Sequence, residues 1–203
     1  LRCRGIPQRC KVRDIYDLGE NLLIITTDRI SAFDVVLGCV PGKGAVLNTM
    51  AAWGFEQTQA LVPNPVVSLP DPCAVLMRKL QPLPVEVIVR RHITGSLWRA
   101  YEQGTREIYG LVLPDGLRAD SRFDYPLVTP TTKAEVGEHD APLSETEIVD
   151  RGLMSRDRWE EVRKAALALF ETGERLAAER GLILVDTKYE FGLNGAELMV
   201  MDE

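Results

Sequence analysis

The residues best suited to chemistry lie near the end of the chain, in Asp186-Thr-Lys-Tyr-Glu-Phe-Gly192 and the Asp202-Glu203 pair. Side chains alternate faces along a strand, so Asp186, Lys188 and Glu190 point one way and Thr187, Tyr189 and Phe191 the other. Carboxylate, ammonium and carboxylate in one line make a poor core and a suitable polyphosphate–magnesium site. Mg²⁺ takes one or two carboxylates together with phosphate oxygens, and a lysine offsets phosphate charge. The plainer alternative is a solvated hairpin face. Turn length decides where Asp202 falls. A two-residue Asn194-Gly195 turn sets it opposite Thr187, whereas a three-residue Leu193-Asn194-Gly195 loop sets it opposite Asp186, on the charged face. The second is expected if Glu190 and Asp202 share a metal.

Other polar groups cluster at the ends of expected strands. Lys11 and Arg13 alternate on a strand predicted over residues 9–16, where they could reach phosphates or simply form a basic edge. Asp28, Arg29, Ser31 and Asp34 crowd the exit of an apolar strand, as a capped turn or a ligand loop would. Pro41-Gly-Lys-Gly44 has the composition of an anion-friendly loop. Arg90-Arg-His-Ile-Thr-Gly-Ser96 runs from a strand into a Gly-Ser turn and a helix, which can present guanidinium, hydroxyl and backbone N–H groups to an anion. The alternative there is a serine N-cap. Thr131, Thr132 and Lys133 add hydroxyls and a cation in an expected loop.

These groups need a frame. Residues 9–16 and 22–27 predict a hairpin, residues 45–59 an amphipathic helix, and the proline-rich 62–72 a loop or an edge. Strands follow at 74–79 and 85–90, then a helix at 96–103 and loops over 110–142. The clearest helix spans 155–180, with Ser155 as N-cap and Gly181 as stop. The run Leu182-Ile-Leu-Val185 predicts a buried strand leading into Asp186. Trp53, Trp98 and Trp159 are expected in the core. The pattern is α+β, divided into a β-rich lobe over 1–82 and an α+β lobe over 83–203, with a cleft between them.

Composition excludes several classes. Charged residues are 27% and hydrophobic residues 45% of 203, with a net charge of −6, so a general nucleic-acid or anionic-membrane binder is not expected. No apolar stretch approaches the roughly 20 residues that span a bilayer, and there is no signal-peptide core. Cys3, Cys10, Cys39 and Cys73 lack metal-site spacing; spacing alone leaves disulfides open, and free thiols in a cytoplasmic protein are the expectation. His92 and His139 are isolated. There is no Walker-type phosphate loop and no kinase His-Arg-Asp or Asp-Phe-Gly element.

Six collinear segments resemble the SAICAR synthetase (phosphoribosylaminoimidazole-succinocarboxamide synthase) family: residues 11–16, 28–34, 41–44, 85–98, 129–140 and 186–192. The resemblance implies a two-lobed fold of the ATP-grasp or kinase-like kind, with antiparallel sheets and the nucleotide in the cleft. It implies a ligase that uses ATP and Mg²⁺ to join L-aspartate to carboxylated aminoimidazole ribonucleotide (CAIR) through an acyl phosphate, giving the succinocarboxamide (SAICAR), ADP and phosphate. By position, Lys11, Val12 and Arg13 are expected at the ATP phosphates, Arg78, Lys79 and Leu80 with Glu86 at the adenine, and Lys133 near the nucleotide. Glu190 and Asp202 are the expected Mg²⁺ ligands. Arg90 and Ser96 are expected on CAIR, with Asp186 and Lys188 as the catalytic pair in the same pocket. Arg29, Ser31 and Asp34 are further candidates for substrate contact. The family also allows a homodimer. Cys10 stands where the family has glycine, and a Thr-Pro-Asp-Ser-Ser-Arg-like stretch is expected after Glu203. The competing reading is a nucleotide-binding pseudoenzyme or inactive fragment of the same fold.

Overall fold

Alternating polar and apolar residues near the N-terminus fold into successive hairpins. The computed structural model describes residues 6–32, 35–133 and 141–203. Strands β1 (Gln8–Arg9), β2 (Arg13–Asp17) and β3 (Asn21–Thr26) run antiparallel. The single strand expected over 9–16 is therefore interrupted at residues 10–12, a turn closed by the Cys10 amide on the Arg13 carbonyl at 2.9 Å. The next turn is tight because Gly19 adopts φ 91° and donates to the Asp17 carboxylate. Strands β4 (Arg29–Ala32) and β5 (Val35–Cys39) form a separate ribbon ahead of helix α1 (Lys43–Thr58).

Strands β6 (Val66–Asp71) and β7 (Ala74–Arg78) complete a sheet of order β1-β2-β3-β7-β6. Pro70 sits on β6 at the sheet's edge, where the missing N–H costs no ladder bond. Helix α1 packs on β3, β6 and β7. Its start is so close to β3 that a Cβ on Gly44 would lie 2.3 Å from the Thr26 carbonyl oxygen. Trp53 does not join the core. With Val46 and Met50 it lies on an outward face of α1, 40% exposed, because the helix buries only Gly44, Asn48, Phe55 and Thr58.

Two compact units divide the chain. One runs through Gln81 and takes in Asn194–Met199; the other comprises Pro82–Leu193 and Val200–Glu203. The second unit begins in the long strand β8 (Gln81–His92), followed by α2 (Gly95–Glu102), β9 (Glu107–Ile108), β10 (Leu111–Val112) and β11 (Arg122–Thr132). The loops expected over 110–142 thus contain an eleven-residue strand. Its prolines are tolerated because β11 is the edge of the sheet β11-β8-β12-β13. Then come α3 (Glu145–Asp150), α4 (Arg156–Ala178), β12 (Asp186–Asn194) and β13 (Glu197–Asp202).

Helix α4 starts as its sequence dictates, with the Ser155 hydroxyl accepting from the Arg158 amide. It buries Trp159, Val162, Ala166, Leu169 and Phe170. Odd positions of β8 turn toward it: Val85, Val87 and Val89 are buried, and Arg91 makes a bidentate pair with Glu174 of α4 at 2.8 and 2.6 Å. A satellite core of Ile93, Leu97, Tyr101, Leu113 and Phe123 gathers around α2.

Residues 182–185 do not form the buried strand expected of four apolar residues. Leu182 and Ile183 are 63% and 75% exposed, and β12 begins only at Asp186. Gly181, at φ 70°, ends the helical run, so these residues are spent bridging from α4 to the sheet. Leu184 packs against Gly173, where an added Cβ would come within 3.0 Å.

Candidate functional site

In the second unit, strand parity and register build a polar face opposite the valine face. Thr131 pairs with Glu86, Thr129 with Ile88, and Leu127 with Arg90, so the even positions of β8 share a face with the odd positions of β11. Asp186, Lys188 and Glu190 of β12 join them through ion pairs. Arg90 Nη1 donates to Asp186 Oδ2 at 2.9 Å, and its Nε to Thr129 Oγ1 at 3.1 Å. Lys188 Nζ meets Glu86 Oε2 at 2.9 Å and Glu190 Oε1 at 3.7 Å. Lys133 Nζ meets Glu190 Oε2 at 2.5 Å. Asp186, Lys188 and Glu190 therefore do face one way, with Lys133, Glu86 and Arg90 beside them.

The face is charge-balanced and partly dry. Glu86 and Arg90 are buried. Burial pushes the Glu190 carboxyl upward, but the Lys133 ammonium, Lys188 and the contact with Glu86 outweigh it, leaving the group below the usual glutamate range. Nearby, burial and the charge of Asp202 push the Glu203 carboxyl up to about 7. Tyr189, on the other face of β12, is raised by burial and by Glu203. Among the described residues no three His, Cys, Asp or Glu side chains converge on one metal-sized point. A site of two carboxylates completed by phosphate oxygens needs no such trio.

Strands β12 and β13 are joined through Gly195-Ala196, with Gly195 at φ 64°. Neither of the two loops that tied Asp202 to a face by parity forms, and its association with Glu190 rests on the family resemblance. Ser96 is exposed in the first turn of α2; the N-cap position belongs to Thr94, which makes no side-chain cap bond. Lys133 follows directly on β11, and Thr131, expected in a loop, is buried on that strand with its hydroxyl lacking a hydrogen-bond partner.

The first unit holds the other expected residues. Lys11 and Val12 lie in the β1–β2 turn and Arg13 begins β2. Arg29 donates from Nε to the Lys11 carbonyl at 3.1 Å, and from Nη2 to the carbonyls of Cys10 at 3.1 Å and Arg13 at 3.3 Å. It also pairs with the Asp14 carboxylate at 2.7 Å. The hydrogen bond from Arg29 holds Asp14 below the usual aspartate range, and Asp14 raises Arg29 in return. Thr27 donates its amide (3.0 Å) and hydroxyl (2.8 Å) to the Val12 carbonyl. Ser31 lies on β4, and Asp34 falls outside the described residues.

Pro41-Gly-Lys-Gly44 does not form an open anion loop. The Asp28 carboxylate already accepts from the amides of Gly42 at 3.1 Å and Gly44 at 2.9 Å, so the segment is the sealed start of α1. Arg78 and Lys79 line a cavity of about 600 Å³ with Gly19, Glu20, Asn21, Val67 and Asn194. Their amides are taken by the carbonyls of Pro65 and Glu20. The roles of Thr27, Asp14 and Thr129 were not legible from sequence; only knowing which strands pair would have exposed them.

Comparison with known proteins identifies the family. The family model described as SAICAR synthetase matches residues 7–203. The chain is 50% identical over 200 residues to a chloroplastic phosphoribosylaminoimidazole-succinocarboxamide synthase of Vigna aconitifolia, covering 96% of this chain and 58% of that protein. It is 47% identical to the Legionella pneumophila (strain Lens) synthase, covering 98% and 65%. The chain thus spans about three-fifths of the length of these curated relatives. A Saccharomyces cerevisiae SAICAR-synthase structure complexed with SAICAR superposes with a TM-score of 0.86 at 32% identity, covering 98% of this chain and 73% of that one. A SAICAR synthetase in complex with ADP shares the fold with a TM-score of 0.83 at 21% identity. With a family match running from residue 7 to residue 203, the chain belongs to the SAICAR synthetase family.

Proposed function

We propose that this chain carries the ligase site that joins L-aspartate to the carboxylate of CAIR, converting ATP to ADP and phosphate and giving SAICAR in purine biosynthesis. The observation that carries the reading is the row of three carboxylates and three cations on one sheet face: Glu86, Asp186 and Glu190 with Arg90, Lys133 and Lys188. The SAICAR and ADP bound in the two solved relatives support the same ligand classes.

A carboxylate does not react with an amine at neutral pH. In the proposed reaction a CAIR carboxylate oxygen takes the γ-phosphoryl group of ATP and ADP leaves. The aspartate amine then attacks the acyl carbon, the bond from that carbon to the phosphate-bearing oxygen breaks, and phosphate departs with loss of a proton from nitrogen. Such transfers depend on alignment and on neutralising charge. Lys11, Val12 and Arg13 hold the ATP phosphates, and the Arg78–Leu80 backbone with Glu86 holds the adenine. Arg90 and Ser96 bind the anionic groups of CAIR, Lys188 and Asp186 line its reacting carboxylate, and Ser31 and Asp34 are assigned to substrate. Lys133 and Lys188, which neutralise Glu190 in this structure, are the cations that turn toward phosphate.

Glu190 and Asp202 are the residues that would hold Mg²⁺. Glu190 fits as an ionised oxygen donor in a half-dry site. A bound Mg²⁺ supplies charge neutralisation on the transferring phosphate. The division of labour proposed is nucleotide covering by residues 1–82 and substrate and metal binding by 83–203. A cytoplasmic location goes with the free thiols Cys10, Cys39 and Cys73, and no described helix is long and apolar enough to cross a membrane. A homodimer is part of the proposal, to be read by sedimentation velocity.

The test is ADP release with Mg²⁺, ATP, CAIR and aspartate, omitting one component at a time. Turnover that needs all four is expected. ATP hydrolysis independent of CAIR would overturn the reading, and nucleotide binding with no turnover would favour the pseudoenzyme.

A further inference from the structure

We infer that Arg29, seconded by Thr27, is a positioning residue for the nucleotide: it holds the Cys10–Arg13 turn so that its carbonyl dipoles are withheld from the phosphates. The inference rests on the nucleotide reading above. It differs from the substrate contact expected for Arg29 from sequence.

A hairpin turn that receives a polyphosphate has an electrostatic difficulty of its own. Each peptide presents a positive N–H end and a negative C=O end, and oxygens pointing at an anion repel it. In this turn all four carbonyls are engaged. Cys10, Lys11 and Arg13 give theirs to the Arg29 guanidinium, and Val12 gives its carbonyl to the amide and hydroxyl of Thr27. Five N–H donors in a rigid planar fork let one arginine hold three carbonyls and a carboxylate together, which a lysine ammonium cannot do. Asp14 supplies the carboxylate and fixes the fork from β2.

The arrangement also answers the missing glycine. Cys10 occupies the turn position where the resemblance leads one to expect Gly, and a Cβ there reduces the backbone's freedom to adapt to the ligand. A turn pinned through its own carbonyls needs no such freedom, because it is already ordered before the nucleotide arrives. Arg29 and Thr27 lie only two residues apart, at the start of β4 and just ahead of it, so one short segment braces the whole turn.

The experiment compares wild type with Arg29→Lys and Thr27→Val, using ATP with Mg²⁺, adenosine as a phosphate-free ligand, and amide hydrogen exchange. Arg29→Lys is expected to weaken ATP about tenfold or more, from loss of charge-assisted hydrogen bonds. Adenosine binding should stay unchanged, and exchange should accelerate at Lys11, Val12 and Arg13 but not in β3. Thr27→Val, which keeps the amide bond to Val12, should weaken ATP by about twofold to threefold. Unchanged ATP affinity with a raised KM for CAIR or aspartate would overturn the inference and make Arg29 a substrate contact. Equal losses for ATP and adenosine, with faster exchange throughout the first unit, would overturn it in favour of a purely structural role; Thr27→Val repeats the test if Arg29→Lys fails to fold. If wild type itself binds no ATP, the nucleotide reading falls before any variant is compared.

Discussion

The turn at residues 10–13 and the polar face of β8, β11 and β12 both gather charged residues, but they are held in different ways. In the turn, the stabilising bonds run from Arg29 and Thr27 to backbone carbonyls, so geometry is fixed by the main chain. On the face, Glu86, Lys188, Glu190 and Lys133 neutralise one another side chain to side chain. A main-chain clamp resists loss of charge elsewhere but fails when its fit is disturbed. A side-chain network tolerates small movements but is upset by removing any one charge, because a half-buried partner is left uncompensated.

The largest effect expected from this contrast is on the face. Lys188→Met removes the cation shared by Glu86 and Glu190 and should lower the rate of ADP release by about a hundredfold to a thousandfold, the scale for losing one charge-stabilising donor. Activity near wild type in that variant would show that the network is not the reacting centre. Gly44→Ala changes no charge and probes fit alone. Its Cβ would meet the Thr26 carbonyl oxygen at 2.3 Å, so urea denaturation should show a loss of about 1–3 kcal/mol. An unaffected urea midpoint would mean that the start of α1 adjusts freely, against the close fit of Gly44 on β3.

Glu190→Gln sharpens the metal assignment. ATP affinity measured with Mg²⁺ and with EDTA should become alike, while the thermal midpoint stays within a few degrees; a Mg²⁺ dependence equal to wild type would exclude Glu190 as a ligand. The smallest effect concerns Asp14. Its carboxyl lies below the usual value of 3.8 because of the bond from Arg29. The ionised form is therefore favoured by folding, and its contribution is present above pH 3.8 and lost as the pH falls through the lower folded value. The urea midpoint should drop more between pH 5 and pH 3 in wild type than in Asp14→Asn, and parallel curves would show the pair to be neutral for stability.

Local signals in the sequence hold where local physics decides. Ser155 caps α4 because its hydroxyl meets the Arg158 amide within one turn. Pro70 marks an edge strand because it lacks a donor. Where several local signals conflicted, tertiary context won. Leu182 and Ile183 are apolar enough for a buried strand, yet the distance from the end of α4 to the sheet had to be bridged, and they lie exposed. Trp53 looks like core, but α1 rests on the side that carries Gly44, Asn48, Phe55 and Thr58, drawn in by the close approach of Gly44 to β3.

The sequence by itself determined the alternation of Asp186, Lys188 and Glu190, since a period of two needs no knowledge of neighbours. The tertiary structure alone decided whom they meet. Arg90 and Asp186 are 96 residues apart, Glu86 and Lys188 are 102 apart, and Arg29 reaches the Lys11 carbonyl from 18 residues away. Which strands lie side by side, and in what register, depends on burying the odd face of β8 against α4, and no local pattern encodes that choice.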